Sequence, residues 1–348
     1  MQNFSELRRN LVSGEWVVIA TGRAKRPQEF AEQPKKRTHQ PKIKCPFEKE
    51  HPEALAVYNK NKLGRRSWSV QVVRNKFPTF TRPSFLENGV KNIDNPEKIG
   101  GSCPSAQQLG PYQWLDGIGH HEVIISRDHK RNIAQMSVED IELVVRAMQD
   151  RYLGAAKDDC VKYVSIFQNH GKTAGASISH PHFQLIAIPV IPPDVNRSLH
   201  GSQKYYEEHQ KCVHCVMLEY SYANRQRVVY ENEHFLAETP FASKTAFEIR
   251  IFPKVHSPHF ETIDSAKRLA LADCLQKTLA KIWHGLKDPD YNLFLHTAPV
   301  RGNHHYQNYH WHLEILPKTA TWAGFEIGTG IEISTITPEA AADFLRSI

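Results

Sequence analysis

The sequence predicts an α+β protein built from two fused, like modules, each an antiparallel sheet flanked by helices, and three observations carry that expectation. The chain has 348 residues, more than a single core comfortably organises. Two amphipathic helical segments are each followed by an apolar strand, a loop and a second strand that carries histidines. The two copies keep one spacing: Tyr163 and Tyr291, like Pro189 and Pro317, stand 128 positions apart. One element order occurring twice at one offset points to duplication.

The elements follow from local pattern. Residues 33–44 are polar, basic and proline-bearing, and residues 87–108 are rich in Gly, Asn, Pro and Ser, so both read as loops. The first helix, 136–152, opens on Ser137-x-x-Asp140, a capping-box-like start, and sets Ile141, Val144, Val145 and Met148 on one stripe. The second, 265–283, carries Leu269, Ala272, Leu275, Leu279 and Ile282 at steps of three or four. Residues 192–206 read as the linker, which gives an N-terminal catalytic module, 1–190, and a C-terminal module, 191–348.

Composition narrows the function. A 40% hydrophobic fraction with 23% charged residues is ordinary for a globular protein and excludes overall disorder. The opening residues lack the apolar core of a signal peptide, and no apolar run approaches the ~20 residues of a membrane span. A cytoplasmic enzyme with no membrane partner is the expectation. The net charge of +7 is spread along the chain rather than gathered in one block, which suits phosphate-bearing small substrates better than nucleic acid. Six cysteines are too few for a disulfide scaffold in so long a chain, and Cys212-x-x-Cys215 among many histidines points to metal. Cys103, Cys160 and Cys274 are assigned to packing or surface.

The densest chemistry lies in His180-Pro181-His182-Phe183-Gln184. Strand alternation puts His180, His182 and Gln184 on one face and Phe183 on the other. Just upstream, residues 169–177 read NHGKTAGAS, a run of glycines and small residues whose backbone can approach a phosphate, with Ser177 offering a hydroxyl.

These residues resemble the galactose-1-phosphate uridylyltransferase family, within the histidine-triad superfamily, and the likeness covers nearly the whole chain. It rests on NHGKTAGASISHPHFQ, RAKRP at 23–27, CPF at 45–47, RNKFP at 74–78, KCVHC at 211–215, FEIRIFPKVHSPHF at 247–260, YHWHLEILP at 309–317 and AGFEIGTG at 323–330. The second-half wording is similar to the branch that holds plant phosphorylases acting on ADP-glucose. The resemblance implies two histidine-triad-like modules, a homodimer, and a nucleophilic His182 that takes a nucleoside monophosphate from a nucleoside diphosphate sugar. A neutral imidazole is a competent nucleophile near pH 7. A leaving phosphate monoester, with second pKa ~6, needs no strong acid. The uncharged Gln184 can therefore serve by donating hydrogen bonds to phosphoryl oxygens, which favours a transferase over a hydrolase.

By the same resemblance, Gly175 and Ser177 belong to the phosphate loop and Arg23 and Arg26 lie near the nucleotide phosphates. Asn75 and Asn169 lie near the nucleotide, and Phe325 and Glu326 at the sugar. Cys212, Cys215, His256 and His310 form a closed Cys2His2 zinc site, with His256 chosen over His259 and His310 over His312. The corresponding first-half site gives Cys45, His129 and His180, with Glu48 where a second cysteine is expected and Glu50 or His51 as substitutes. Either these residues bind zinc, carboxylate included, or the site is empty and His180 is hydrogen-bonded instead. Sugar 1-phosphate is the expected acceptor, and inorganic phosphate is the acceptor of the alternative, a phosphorylase. A zinc-structured nucleic-acid-binding protein explains the charge and the CxxC but none of the HPHFQ strand, and a salt-sensitive gel shift would reveal it.

Overall fold

The computed structural model describes residues 5–23, 30, 37, 39–59, 68–82, 103–302 and 305–348. Ten strands form one antiparallel sheet: β1 (Ala56–Tyr58), β2 (Val70–Arg74), β3 (His120–Ser126), β4 (Tyr163–His170), β5 (His182–Ile188), β6 (Val228–Glu231), β7 (Phe235–Glu238), β8 (Ile249–Pro253), β9 (Tyr291–His296) and β10 (His312–Pro317). Their order is β6-β7-β8-β10-β9-β4-β5-β3-β2-β1. Each first-half strand thus has a second-half counterpart five labels later. The halves join where β4 pairs with β9, from His170 opposite Tyr291 to Phe167 opposite Phe294, and the mixed α+β architecture expected of two like modules is present.

Among the described residues the helices are α1 (Val138–Ala156), α2 (Pro193–His209), α3 (Val213–Asn224), α4 (Ser265–Gly285), α5 (Gly324–Thr329) and α6 (Pro338–Arg346), and Glu6–Arg9, Trp16–Ile19 and Ile333–Ser334 form a small second sheet. Helix α1 starts as its cap dictates: Asp140 N donates to Ser137 Oγ at 3.3 Å. Its stripe of Ile141, Val144, Val145 and Met148 is buried, as is Cys274 on α4, whereas Leu269 is 47% exposed and lies off the buried stripe. The helices α1 and α4 share one core; Gln149 of α1 donates through Nε2 to the carbonyls of Glu261 at 2.8 Å and Ile263 at 2.6 Å in the segment before α4, and its Oε1 accepts from Arg268 Nη1 of α4 at 2.9 Å.

Four expectations are corrected. The linker at 192–206 is mostly helix: α2 buries only Val195, Leu199 and Ser202, so an apolar-period search passes over it. Part of the expected 87–108 loop forms a hairpin, Gln107–Leu109 with Tyr112–Trp114. Cys103 and Cys160 are joined in a disulfide across a separation of 57 residues, which spacing alone cannot reveal. The repeat also has a different register. His310 and His312 are the counterparts of His180 and His182, because each earlier histidine bonds the carbonyl at the end of the neighbouring strand: His180 Nε2 meets Ser126 O at 2.7 Å and His310 Nε2 meets Pro253 O at 3.0 Å.

The turn before β4 is anchored by a buried ion pair. Asp158 accepts from Arg82 Nε at 2.8 Å and lies 2.8 Å from His120 Nε2. Burial alone would push its carboxyl up, but His120 and Arg82 outweigh burial and hold it well below the usual carboxylate range. Asp158→Asn should cost about 3 kcal/mol, since it leaves the Arg82 charge buried without its partner. The depressed pKa means this stability is present above the unfolded value of about 4 and is lost as pH falls toward the folded one. Denaturant titration of both proteins should give a gap that is widest at neutral pH and narrows below pH about 4; a gap independent of pH would contradict the assignment.

Candidate active site and metal centres

Alternation along β5 turns Phe183, Leu185 and Ala187 into the core and leaves His182, Gln184 and Ile186 half-buried on the other face. His182 Nδ1 lies 2.8 Å from the carbonyl oxygen of His180. A carbonyl only accepts, so Nδ1 carries the proton and the ring's lone pair is on Nε2. Burial holds the pKa of His182 below its ordinary value, outweighing the bond to His180. The imidazole is therefore neutral at neutral pH, with Nε2 free of that bond. Phe47 packs against the ring with centroids 5.1 Å apart.

The loop before β5 is held by the other half of the chain. Gly171 and Gly175 flank the turn Lys172–Ala174 with φ of 85° and 89°, where a side chain is disfavoured. At Gly171 an added Cβ would also meet Asp290 Oδ1 at 2.0 Å. Asp290 accepts from Thr173 N at 2.8 Å. Asn292 Nδ2 donates to Asn169 Oδ1 at 2.8 Å and to Ala174 O at 2.9 Å. Asn169 and Ser177 line a cleft of about 1010 Å³ that Lys130, Lys172 and Arg37 also border.

Two clusters of possible metal ligands repeat one design. Cys212 and Cys215 follow Cys45 and Glu48 by 167 positions each, and His256 follows His129 by 127. In the second half, Cys212, Cys215, His256 and His310 bring one ligand atom each within 4.8 Å of the others. His256 Nε2 lies 2.7 Å from Gln307 O, and with His310 Nε2 on Pro253 O both rings turn Nδ1 toward Cys215, at 3.4 and 3.6 Å. In the first half, Cys45, His129 and His180 form the same kind of group. His129 Nε2 meets Gln40 O at 2.7 Å, and His180 Nδ1 lies 3.5 Å from Cys45 Sγ. Glu48 takes the Cys215 position, its Oε2 3.0 Å from His129 Nδ1. Those two buried atoms have no hydrogen-bond partner, which is the arrangement a cation between them would satisfy. Of the two substitutes, Glu50 is exposed and His51 Nε2 bonds Pro46 O at 2.9 Å.

The second-half counterpart of His182 lies in a charged network. His312 and Glu314 are buried, with half-buried His296 beside them, and Arg250 Nε stands 3.2 Å from Glu314. Burial brings His296 down to about 4 and His312 well below its ordinary value.

Not every expected site residue joins the first-half cluster. Arg26 and the side chain of Arg23 lie outside the described residues. Phe325 and Glu326 sit on α5, and no hydrogen bond or ring contact among the described residues links them to His182 or Gln184; Glu326 instead caps its own helix, accepting from Ala323 N at 3.0 Å. Sequence reasoning missed Asp290 and Asn292, which buttress the loop, and His121, whose Nε2 lies 2.9 Å from Gln184 Oε1. The only signal for His121 was its place in an apolar strand run.

Comparison with known proteins gives the family. The model for the galactose-1-phosphate uridyl transferase N-terminal domain matches residues 1–222, and that for a domain of unknown function, DUF4921, matches residues 113–347. An ADP-glucose phosphorylase of Arabidopsis thaliana is 33% identical over 99% of this chain and 93% of its own. A galactose-1-phosphate uridylyltransferase of Thermotoga maritima is 29% identical over 98% of both. The solved structure of an Arabidopsis thaliana ADP-glucose phosphorylase with bound ADP-glucose superposes with a TM-score of 0.78 at 30% identity, covering 99% of each chain. Matched by the family model over more than half its length and by such enzymes over nearly all of it, this chain is an enzyme of the galactose-1-phosphate uridylyltransferase family.

Proposed function

We propose that the enzyme moves a nucleoside monophosphate between sugar phosphates through a nucleotidyl-histidine on His182. The observation that carries the reading is the bond from His182 Nδ1 to the His180 carbonyl, which leaves Nε2 as the attacking atom. Nε2 attacks the α-phosphorus of a nucleoside diphosphate sugar, the bond to the bridging oxygen breaks, and sugar 1-phosphate leaves with that electron pair. The oxygen of a second sugar 1-phosphate then attacks the same phosphorus and expels Nε2. Gln184 donates to the phosphoryl oxygens as charge builds on them, and the glycine-bearing loop supplies backbone N–H groups. UDP-glucose with a hexose 1-phosphate is the leading substrate pair. Inorganic phosphate as acceptor, with ADP-glucose as donor, is the second reading, favoured by the likeness to a plant enzyme named for that activity.

Zinc fits both ligand groups as a structural ion. Cys212, Cys215, His256 and His310 would close a tetrahedron, and Cys45, Glu48, His129 and His180 would form a harder, weaker counterpart. No step of transfer runs through either ion; the first would fix His180 and so the carbonyl that orients His182. Exposed Phe325 and half-buried Glu326 are the sugar-side residues of this reading, and a homodimer would offer them the site of a second copy. No helix among the described residues is long and apolar enough to cross a membrane. We place the enzyme in the cytoplasm, where the Cys103–Cys160 pair would meet reducing thiols, so no proposed step uses it.

Incubation with donor labelled in the α-phosphate should label the wild-type protein, and comparison of UDP-glucose with ADP-glucose should identify the base. His182→Asn should lose labelling by on the order of a thousandfold or more at unchanged melting temperature; substantial labelling of the variant would remove His182 from the role. Because burial lowers the pKa of His182, the ring stays neutral below the ordinary value of about 6.5. The labelling rate should hold through that pH and fall only at lower pH, and a rate already halved above it would contradict the neutral-nucleophile account.

Elemental analysis should find zinc lost from the second site when Cys212 and Cys215 are both changed to Ala, with a fall in melting temperature because binding is coupled to folding. Mild chelation or acid should remove a first-site ion before that one, and Glu48→Cys should resist the treatment. A chelation profile identical for wild type and Glu48→Cys would show that residue 48 is no ligand.

A further inference from the structure

The transfer reading leaves one imidazole beside the site without a task. His121 on β3 is 8% exposed. Its Nδ1 lies 3.1 Å from the backbone nitrogen of Thr79, which donates to it. A backbone N–H cannot accept, so the neutral ring carries its proton on Nε2. That N–H donates to Gln184 Oε1 at 2.9 Å. The contact settles which way round the Gln184 amide stands, since the flipped amide would set two donors against each other. Its NH2 end is thereby turned away from His121, and among the described residues that nitrogen has no protein partner.

The same histidine organises the loop that follows β2. Asn75 N donates to His121 O at 2.8 Å, Asn75 Oδ1 accepts from Phe77 N at 2.9 Å, and Phe77 at the tip is 81% exposed. Asn75 Nδ2 lies 3.0 Å from His121 Nε2; with that nitrogen protonated, the two are neighbours rather than partners. One ring therefore holds the 75–79 loop with one nitrogen and the Gln184 amide with the other. The second half has no such pair. The residue 127 positions after His121 is Glu248, whose Oε1 pairs with Arg250 at 3.0 Å, and Gln184 is matched there by Glu314.

We propose that His121 is a positioning residue for nucleotidyl transfer: it locks the Gln184 amide with its N–H donors toward the phosphoryl oxygens, and it couples that donor to the 75–79 loop. The inference rests on the transfer reading above. Lost orientation of one amide should cost a factor on the order of ten in the labelling rate, the size of one net hydrogen bond.

The test is a double-mutant cycle read by single-turnover labelling with α-phosphate-labelled UDP-glucose and ADP-glucose. His121→Phe should slow labelling about tenfold in the wild-type background and have little further effect in Gln184→Ala, because a residue acting through Gln184 has nothing to act on once the amide is gone. His121→Gln, whose side-chain N–H can donate to Gln184 Oε1, should restore the rate to within about threefold of wild type, a residual well inside one net hydrogen bond. Equal losses from His121→Phe in both backgrounds would overturn the proposal. So would a full loss in His121→Gln at unchanged melting temperature, a result that does not depend on Phe fitting the site. A wild-type protein that takes no label from either donor would refute the transfer reading and this inference with it, whereas a labelled wild type with fast labelling of His121→Phe refutes this inference alone.

Discussion

The hydrogen bond from His182 Nδ1 to the carbonyl of His180 is the contact on which the rest of the site depends. It decides the tautomer, and the tautomer decides which nitrogen presents a lone pair. It is also a bond between a side chain and the backbone of its own strand, so it is only as well placed as that backbone. His180 is fully buried and held at both ring nitrogens, by Ser126 O and by Cys45 Sγ. Whatever fixes His180 fixes the carbonyl, and whatever fixes the carbonyl aims Nε2. A structural ion at Cys45, Glu48, His129 and His180 would reach the chemistry by this route alone.

The fusion of two like modules has a local consequence. The first-half loop between β4 and β5 closes on Asp290 and Asn292 from the second half, and Gly171 is required because Asp290 occupies the space of a side chain. The second module thus serves the first as a wall. Its own version of the site has changed accordingly: His312 keeps the bond from Nδ1 to the preceding carbonyl, His310 O at 3.1 Å, but buried charge surrounds it where the first half keeps the uncharged Gln184.

Much of this was legible in the sequence, for reasons that also explain what was not. The helices α1 and α4 have caps and dense apolar stripes, and HPHFQ alternates cleanly, so period and motif found them. Helix α2 has a proline start and three buried side chains, too thin a stripe to separate from a linker. The constant offset of 128 came from flanking Tyr and Pro residues, whereas the hydrogen-bonded counterparts of β5 lie 130 positions on, as His180 and His310 show; a longer second loop shifts β10 with Pro317 in it, so Pro317 is not the structural counterpart of Pro189. The Cys103–Cys160 bond and the contact from His121 to Gln184 join residues 57 and 63 positions apart, and neither has a local signature. The resemblance selected Glu48, His256 and His310, which local pattern could not single out; His256 and His310 gather with Cys212 and Cys215, whereas the first-half group gathers Cys45, His129 and His180, with Glu48 beside His129.

The central claim is that a nucleotide is carried on Nε2 of His182. The most direct measurement is to trap the labelled protein, digest it at alkaline pH where a phosphoramidate survives, and locate the label by peptide mass spectrometry and phosphorus NMR. The account predicts one labelled peptide, spanning His182, with the phosphorus bonded to Nε2. Label on another residue, or on Nδ1 of His182, would contradict it.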